Sequence, residues 1–443
     1  MIKMQRNIVV VFFILLLLNI EVVSGTQLFT INQISTTTGN QRICGNRILY
    51  VGGSGVGNYS HIQSALDVST DGDTVFVWDD SSPYFENIII DKKIFLIGEN
   101  KESTIIDGGG LADVITIYAE GVTVTGFTIK NSKKDWLNAG IILFSDKNTV
   151  SDNIIVNAEN GIYSYDLDNT IIENNHISNC ESCGISTPFS TNNTIRYNTL
   201  QHCKNYGIFI YDSLYIIITD NVINDSGVGI HLWFSFFNTI SQNTVEDSRI
   251  GLRFCLYSRN NTIAHNMIKD IRDYGIELNY SLYNDLTSNV VENSNIGVRL
   301  YYSHENVIAQ NNVTDCVIGF NVSYSPQNRI RGNIIKNNAV GMRFFSSSYN
   351  VIEQNVVVGS TEIGLSLTER NTENSVSDNT FMENKKNALF INSVYNSWTH
   401  NYWDDWDGRG FYIIDGKLYF ISSVFSIPWV NIDFSPRDKP YFT

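Results

Sequence analysis

Asn261-Thr262-Ile263-Ala264-His265-Asn266 sets a frame, Asn-x-apolar-x-x-Asn, that returns down the chain at nearly constant spacing. Its neighbours open at Asn238, Asn284, Asn306, Asn328 and Asn350. The second Asn stands at Asn153, Asn174, Asn198, Asn221, Asn243, Asn266, Asn289, Asn311, Asn333, Asn355, Asn379 and Asn401, and the first is absent only at Ile216. A glycine followed by an apolar residue runs in phase with it, from Gly140 through Gly161, Gly184, Gly207, Gly229, Gly251, Gly275, Gly297, Gly319, Gly341 and Gly364, with Ala388 in the last copy. The spacing averages about 22.5 residues, a period that marks a solenoid.

Each repeat offers three apolar runs too short for helices, separated by Asn, Asp, Ser and Gly. Gly297-Val298-Arg299-Leu300, Asn306-Val307-Ile308 and Asn311-Asn312-Val313 are one such set. Three strands and three turns in this length make one coil of a parallel β-helix. A leucine-rich repeat would carry a Leu-x-x-Leu-x-Leu pattern, which is missing. The Asn frame has a physical reason at a corner, since Asn tolerates the left-handed conformation and its amide can bond the same amide one coil above. The copies at Asn243, Asn266, Asn289, Asn311, Asn333 and Asn355 are therefore expected to form a structural ladder. The glycine column predicts either positive φ or close packing between coils.

The chain has 443 residues and a formal net charge of -15, with 43% hydrophobic and 17% charged residues. That composition opposes disorder, and the charge opposes a nucleic-acid partner bound through phosphates. Residues 1–25 read as a secretory signal peptide: Lys3 and Arg6 precede an apolar run over 8–18, and Ser24-Gly25 supply small residues for cleavage. The expected location is outside the cytoplasm, at a cell surface or in a periplasm. Membrane contact is expected only through this segment if it stays uncleaved.

A linker over 26–47 leads to a cap and irregular first coils over 48–139, regular repeats over 140–403 and a C-terminal cap over 404–443. Ser60 with Gln63 suggests a capping box, and Ile62, Ala65, Leu66 and Ser69 share one side of a short helix suited to covering the first coil. Six cysteines are too sparse for a disulfide scaffold. Cys180 and Cys203 would stack on adjacent coils, either bonded or as two small buried residues.

Alternation along the strand after each glycine points the second and fourth residues outward. The second positions read Tyr163, Ser186, Phe209, His231, Arg253, Glu277, Arg299, Asn321 and Arg343; the fourth include Tyr165, Tyr211, Trp233, Tyr301 and Phe345. Flat rings beside Arg suit an elongated polysaccharide, the rings giving apolar contact and Arg gripping carboxylates or sulfates. Tyr163, Tyr165, Phe209, Tyr211, Trp233, Arg253, Arg299, Tyr301, Arg343 and Phe345 are thus glycan-binding candidates. The competing reading is a ladder that only stabilises the sheet, with Glu277 paired between Arg253 and Arg299.

His231, Arg253 and Glu277 form the best available trio for catalysis, as in a lyase, hydrolase or epimerase. A non-catalytic role is the expectation, and a purely structural surface-layer element is a third reading. No cofactor or metal is expected. Asp71 and Asp73 around Gly72 lack the remaining ligands of a calcium loop, Cys180-x-x-Cys183 lacks a second pair, and the seven His residues form no copper ligand cluster.

The stretches Tyr59-Ser60-His61-Ile62-Gln63, Gly72-Asp73-Thr74-Val75, Leu96-Ile97-Gly98-Glu99-Asn100 and Ile106-Asp107-Gly108-Gly109 resemble the opening of pectin-lyase-like β-helix proteins of the NosD type. Asn401-Tyr402-Trp403-Asp404-Asp405-Trp406 and Pro440-Tyr441 resemble a C-terminal cap of archaeal surface members of that family. The resemblance implies an all-β right-handed parallel β-helix, export and carbohydrate association. No motif of its pectate lyases, polygalacturonases or mannuronan epimerases is matched, so it assigns no catalytic residue.

Overall fold

A computed structural model describes residues 47–420 and 425–441, which fall in one compact unit, 44–443. The signal segment and most of the linker lie outside the described residues. The chain winds into a right-handed parallel β-helix of about 16 turns.

Each turn contributes a strand to three stacks. One coil runs Val228–Trp233, then Thr239–Ser241, then Thr244–Glu246. Strands of the coils pair in parallel with their equivalents one coil on, as His231 with Arg253, Ile240 with Ile263 and Val245 with Ile268. These three stacks are termed here the glycine sheet, the first short sheet and the second short sheet. Their inward residues, such as Leu232, Ile240 and Val245, are fully buried and form one continuous core. A strand of three residues presents a single inward side chain, which is why the apolar runs are so short.

The Asn frame brackets the first short sheet. At its far corner Asn266 donates from Nδ2 to Asn289 Oδ1 and to the Ile240 carbonyl, both at 2.9 Å. Its own Oδ1 accepts from the backbone N–H and Nδ2 of Asn243, both at 3.0 Å. This bonding repeats from Asn153 through Asn175, Asn198 and Asn221 to Asn379 and Asn401. The register corrects one member, since Asn175 occupies the ladder and Asn174 does not. Shifting that coil by one residue also puts Thr170 in the column of first Asn residues, a second break beside Ile216.

The conformational reason for Asn needs correction too. The left-handed residue is the one before the ladder Asn: Gln242, His265, Ser288 and Gln310 all have φ of 55–57°. Asn is required for its buried amide, and the strained position tolerates many side chains. The glycine column takes the close-packing alternative, with ordinary φ. A Cβ on Gly251 would lie 2.4 Å from the Gly275 carbonyl oxygen and 2.5 Å from Ile268 Cγ2.

A second ladder, of serine, escaped the sequence reading. Ser281 N–H donates to Ser303 Oγ, Ser303 N–H to Ser325 Oγ and Ser325 N–H to Ser347 Oγ, each at 3.0 Å. It lines the turn between the glycine sheet and the first short sheet.

The helix Ile62–Val68 buries Ile62, Ala65 and Leu66. Its N-cap is His61, with no side-chain cap, so the capping box does not form. Glu86 instead accepts the Ile62 and Gln63 N–H groups at 2.8 and 3.0 Å, and Gln63 turns aside to the Ile89 backbone. Asp73 is buried against Arg47, 2.6 Å from Nη2. Burial alone would raise its carboxyl, but hydrogen bonds from Arg47 and Thr70 outweigh that and hold it well below the usual carboxylate range.

At the C-terminal end, strands Tyr412–Phe420 and Phe425–Asp433 form an antiparallel hairpin. Asp433 terminates the Asn ladder, its Oδ2 accepting from Asn401 N–H at 3.0 Å, Asn401 Nδ2 at 3.1 Å and Trp403 Nε1 at 3.2 Å. Cys180 and Cys203 are register partners and both are free, buried thiols.

Candidate functional site

The outward columns of the glycine sheet stand in register from coil to coil. Tyr163, Ser186, Phe209, His231, Arg253, Glu277, Arg299, Asn321 and Arg343 occupy one line. Tyr211, Trp233, Cys255, Asn279, Tyr301, Ser323 and Phe345 occupy the next. The sequence pattern therefore predicts which residues are neighbours.

It does not predict their depth. Tyr165, Trp233 and Arg343 are exposed, while Tyr163, Phe209, Tyr211, Arg253, Arg299, Tyr301 and Phe345 are half-buried. His231 and Glu277 are buried, correcting the expectation that both present themselves to solvent. Larger neighbours close over them. The His231 ring lies 5.1 Å from Tyr206, 5.3 Å from Phe209 and 6.0 Å from Trp233.

Glu277 is clamped by two arginines. Arg299 donates from Nη1 to Oε1, and Arg253 Nε lies 2.9 Å from Oε2, close but off the line that a hydrogen bond needs. The Arg299 guanidinium also sits 4.7 Å from the Tyr274 ring centroid and 4.6 Å from that of Tyr301. Such a carboxylate is committed to its ion pairs.

His231 has no hydrogen-bond partner on either ring nitrogen. Burial, reinforced by the Arg253 charge, pushes its pKa down to about 3, so the imidazole is neutral at physiological pH. The trio is thus assembled on three successive coils, but as a neutral imidazole and a locked ion pair.

Three aromatic positions were missed. Tyr280, Tyr302 and Tyr324, each the residue after the fourth outward position, stack at 4.9 and 4.8 Å with interplanar angles of 7° and 8°. The doublets Asn279-Tyr280, Tyr301-Tyr302 and Ser323-Tyr324 carry that signal in the sequence. Together with Tyr301 and Phe345 they extend the aromatic surface around the turn.

Among the described residues, no three His, Cys, Asp or Glu side chains converge as a metal centre. No helix among them is long and apolar enough to cross a membrane.

Residues 113–268 match the family model described as right handed beta helix region, and residues 225–416 match the one described as periplasmic copper-binding protein (NosD). Both matches fit a right-handed parallel β-helix of the pectin-lyase-like fold, NosD-like over 225–416. An alginate lyase solved in complex with G6 is 12% identical, with a TM-score of 0.53 over 71% of this chain and 86% of its own. The DFA-IIIase of Arthrobacter chlorophenolicus A6 is 14% identical, with a TM-score of 0.47 over 68% and 87%. The Dettilon tailspike protein is 14% identical, with a TM-score of 0.45 over 74% and 64%. At 12% identity the likeness to the alginate lyase is one of fold. No curated protein matches the chain.

Among the described residues, the copper named in the family description finds no fitting donor set. Copper favours clustered His, Met or Cys ligands, whereas the buried imidazole of His231 has Arg253 as its register neighbour.

Proposed function

We propose that this protein is an exported, non-catalytic β-helix protein that binds a polysaccharide lengthwise along the outer face of its glycine sheet. The observation that carries this reading is the register of two outward columns. It sets Phe209, Tyr211, Trp233, Tyr301 and Phe345 beside Arg253, Arg299 and Arg343 at successive coil spacings. Strands in such a stack repeat at about 4.8 Å, so the coils that carry a ring or an Arg offer contacts at multiples of that spacing to an extended chain. Rings held by their neighbours lose little entropy on binding.

The state of the trio supports binding over turnover. Glu277 is occupied by Arg253 and Arg299, and neutral His231 is covered by aromatic rings. The alginate lyase likeness supports the reading at the level of fold alone.

A glycan array probed with the protein tests it. Retention on extended polysaccharides is expected, with no unsaturated sugar or altered uronate configuration after incubation. Product formation that His231→Ala or Glu277→Ala abolishes would replace this reading with the enzymatic one.

A further inference from the structure

A cleft of about 500 Å3 opens at the turn between the second short sheet and the glycine sheet, beside the face just described. Its lining includes Lys204, Tyr206, Arg249, Arg253 and Arg272, with Asp225 the acidic member. A concentration of cations is unexpected in a chain of net charge -15.

The repeat explains how it arises. Lys204, Gly227, Arg249 and Arg272 occupy equivalent positions between the second short sheet and the glycine sheet on four successive coils, Arg272 at the register shift within the strand Met267–Asn279, and their N–H groups bond to Cys180, Cys203, Ser226 and Ser248 of the coil before. Gly227 contributes no side chain between Lys204 and Arg249, and a Cβ there would meet the Asn205 carbonyl oxygen at 2.5 Å. Tyr206 walls the cleft, stacked on Phe209 at 4.8 Å and 18°.

Apart from Arg253, which is paired with Glu277, the cations are poorly neutralised by the protein itself. Lys204 Nζ is 3.8 Å from Glu181, Arg249 Nε 3.8 Å from Asp273 and Arg272 Nη2 3.9 Å from Asp225, all beyond good hydrogen-bond range. Exposed pairs of this length contribute little and give way to a better-placed anion. Arg forks match carboxylate and sulfate oxygens, and a concave site concentrates their field.

We infer that this cleft is a subsite for the anionic group, carboxylate or sulfate ester, of an acidic sugar unit. It deepens the polysaccharide reading by naming the ligand as a polyanionic glycan, and rests on that reading only for the sugar. Arg253 belongs to both surfaces, so a chain lying on the face can place a charged unit in the cleft.

The test is titration calorimetry of the whole protein with three hexasaccharide probes: an oligouronide, a sulfated oligoglucan and its unsulfated parent. The expected result is that at least one charged probe binds about tenfold or more tightly than the neutral one. Arg249→Gln/Arg272→Gln, at exposed positions and checked for unchanged thermal unfolding, is expected to erase that preference while sparing neutral-probe binding. Preference for the uronide alone or the sulfated probe alone identifies the anion. Equal binding of charged and neutral probes, or a preference that survives in the folded double variant, overturns the inference. The two readings separate cleanly: if Trp233→Ala/Tyr301→Ala leaves all binding intact while the arginine variant abolishes charge preference, the cleft stands and the aromatic face falls.

Discussion

Arg253 Nε lies 2.9 Å from Glu277 Oε2 across adjacent coils, and the far side of the same carboxylate receives Arg299. One buried acid thus orders two arginines of the outer face. Glu277→Gln removes their counter-charge and is expected to cost about 3 kcal/mol of stability, because a broken buried pair leaves charge uncompensated. Chemical denaturation measures it. A loss within about 0.5 kcal/mol, typical of surface changes, would mean that the arginines find solvent instead.

Asn266→Ala removes two donor bonds and an acceptor shared by two groups. Taking the acceptor from Asn243 N–H, one of its bonds from Asn243 Nδ2 and the amide donor from the Ile240 carbonyl is expected to cost roughly 3 kcal/mol or more. His265→Ala, one residue earlier and left-handed, is expected to cost far less, which separates the ladder from the bend. Equal losses in urea unfolding would contradict this division.

At the end of the ladder, Asp433→Ala leaves Asn401 and Trp403 without their shared acceptor. Asp433→Asn retains an acceptor oxygen. Hydrogen exchange of the Asn401 amide is expected to quicken in the alanine variant and to remain slower in the asparagine one.

His231 predicts a pH dependence. Its imidazole titrates at about 3 in the fold, against 6.5 as its ordinary value. The unfolded state therefore binds the extra proton as pH falls through that interval. Stability linked to His231 is complete above about pH 6.5 and is lost towards pH 3, with a full size on the order of 5 kcal/mol. Comparing wild type with His231→Phe by denaturation at pH 7 and pH 4.5 isolates it. The variant is expected to lose less stability on acidification, and parallel losses would exclude the mechanism.

The fold was legible because a solenoid writes the same instruction many times: Asn266, Gly251 and Ile263 each recur one coil away. Repetition also caused the slip at Asn174-Asn175, where either member of a doublet fits a loose frame and only pairing of Ile172 with Val150 and Ile195 decides. Alternation gave direction but not depth. His231 and Glu277 point outward and are nonetheless buried, because Tyr206, Phe209 and the arginines close over them. The cleft was missed because Lys204, Arg249 and Arg272 stand between the second short sheet and the glycine sheet, outside the outward columns that follow each glycine. Glu86 caps the helix across a distance in sequence that no local capping pattern encodes.

The central claim is that the outer face of the glycine sheet binds a polysaccharide through its rings. The most direct measurement is the affinity of wild type and of Trp233→Ala/Tyr301→Ala for the polysaccharide retained on the array, with thermal unfolding as the control for folding. Binding weaker by at least about tenfold in a folded double variant is predicted, as expected when aromatic anchors are truncated. A folded variant that binds as tightly as wild type would contradict the account.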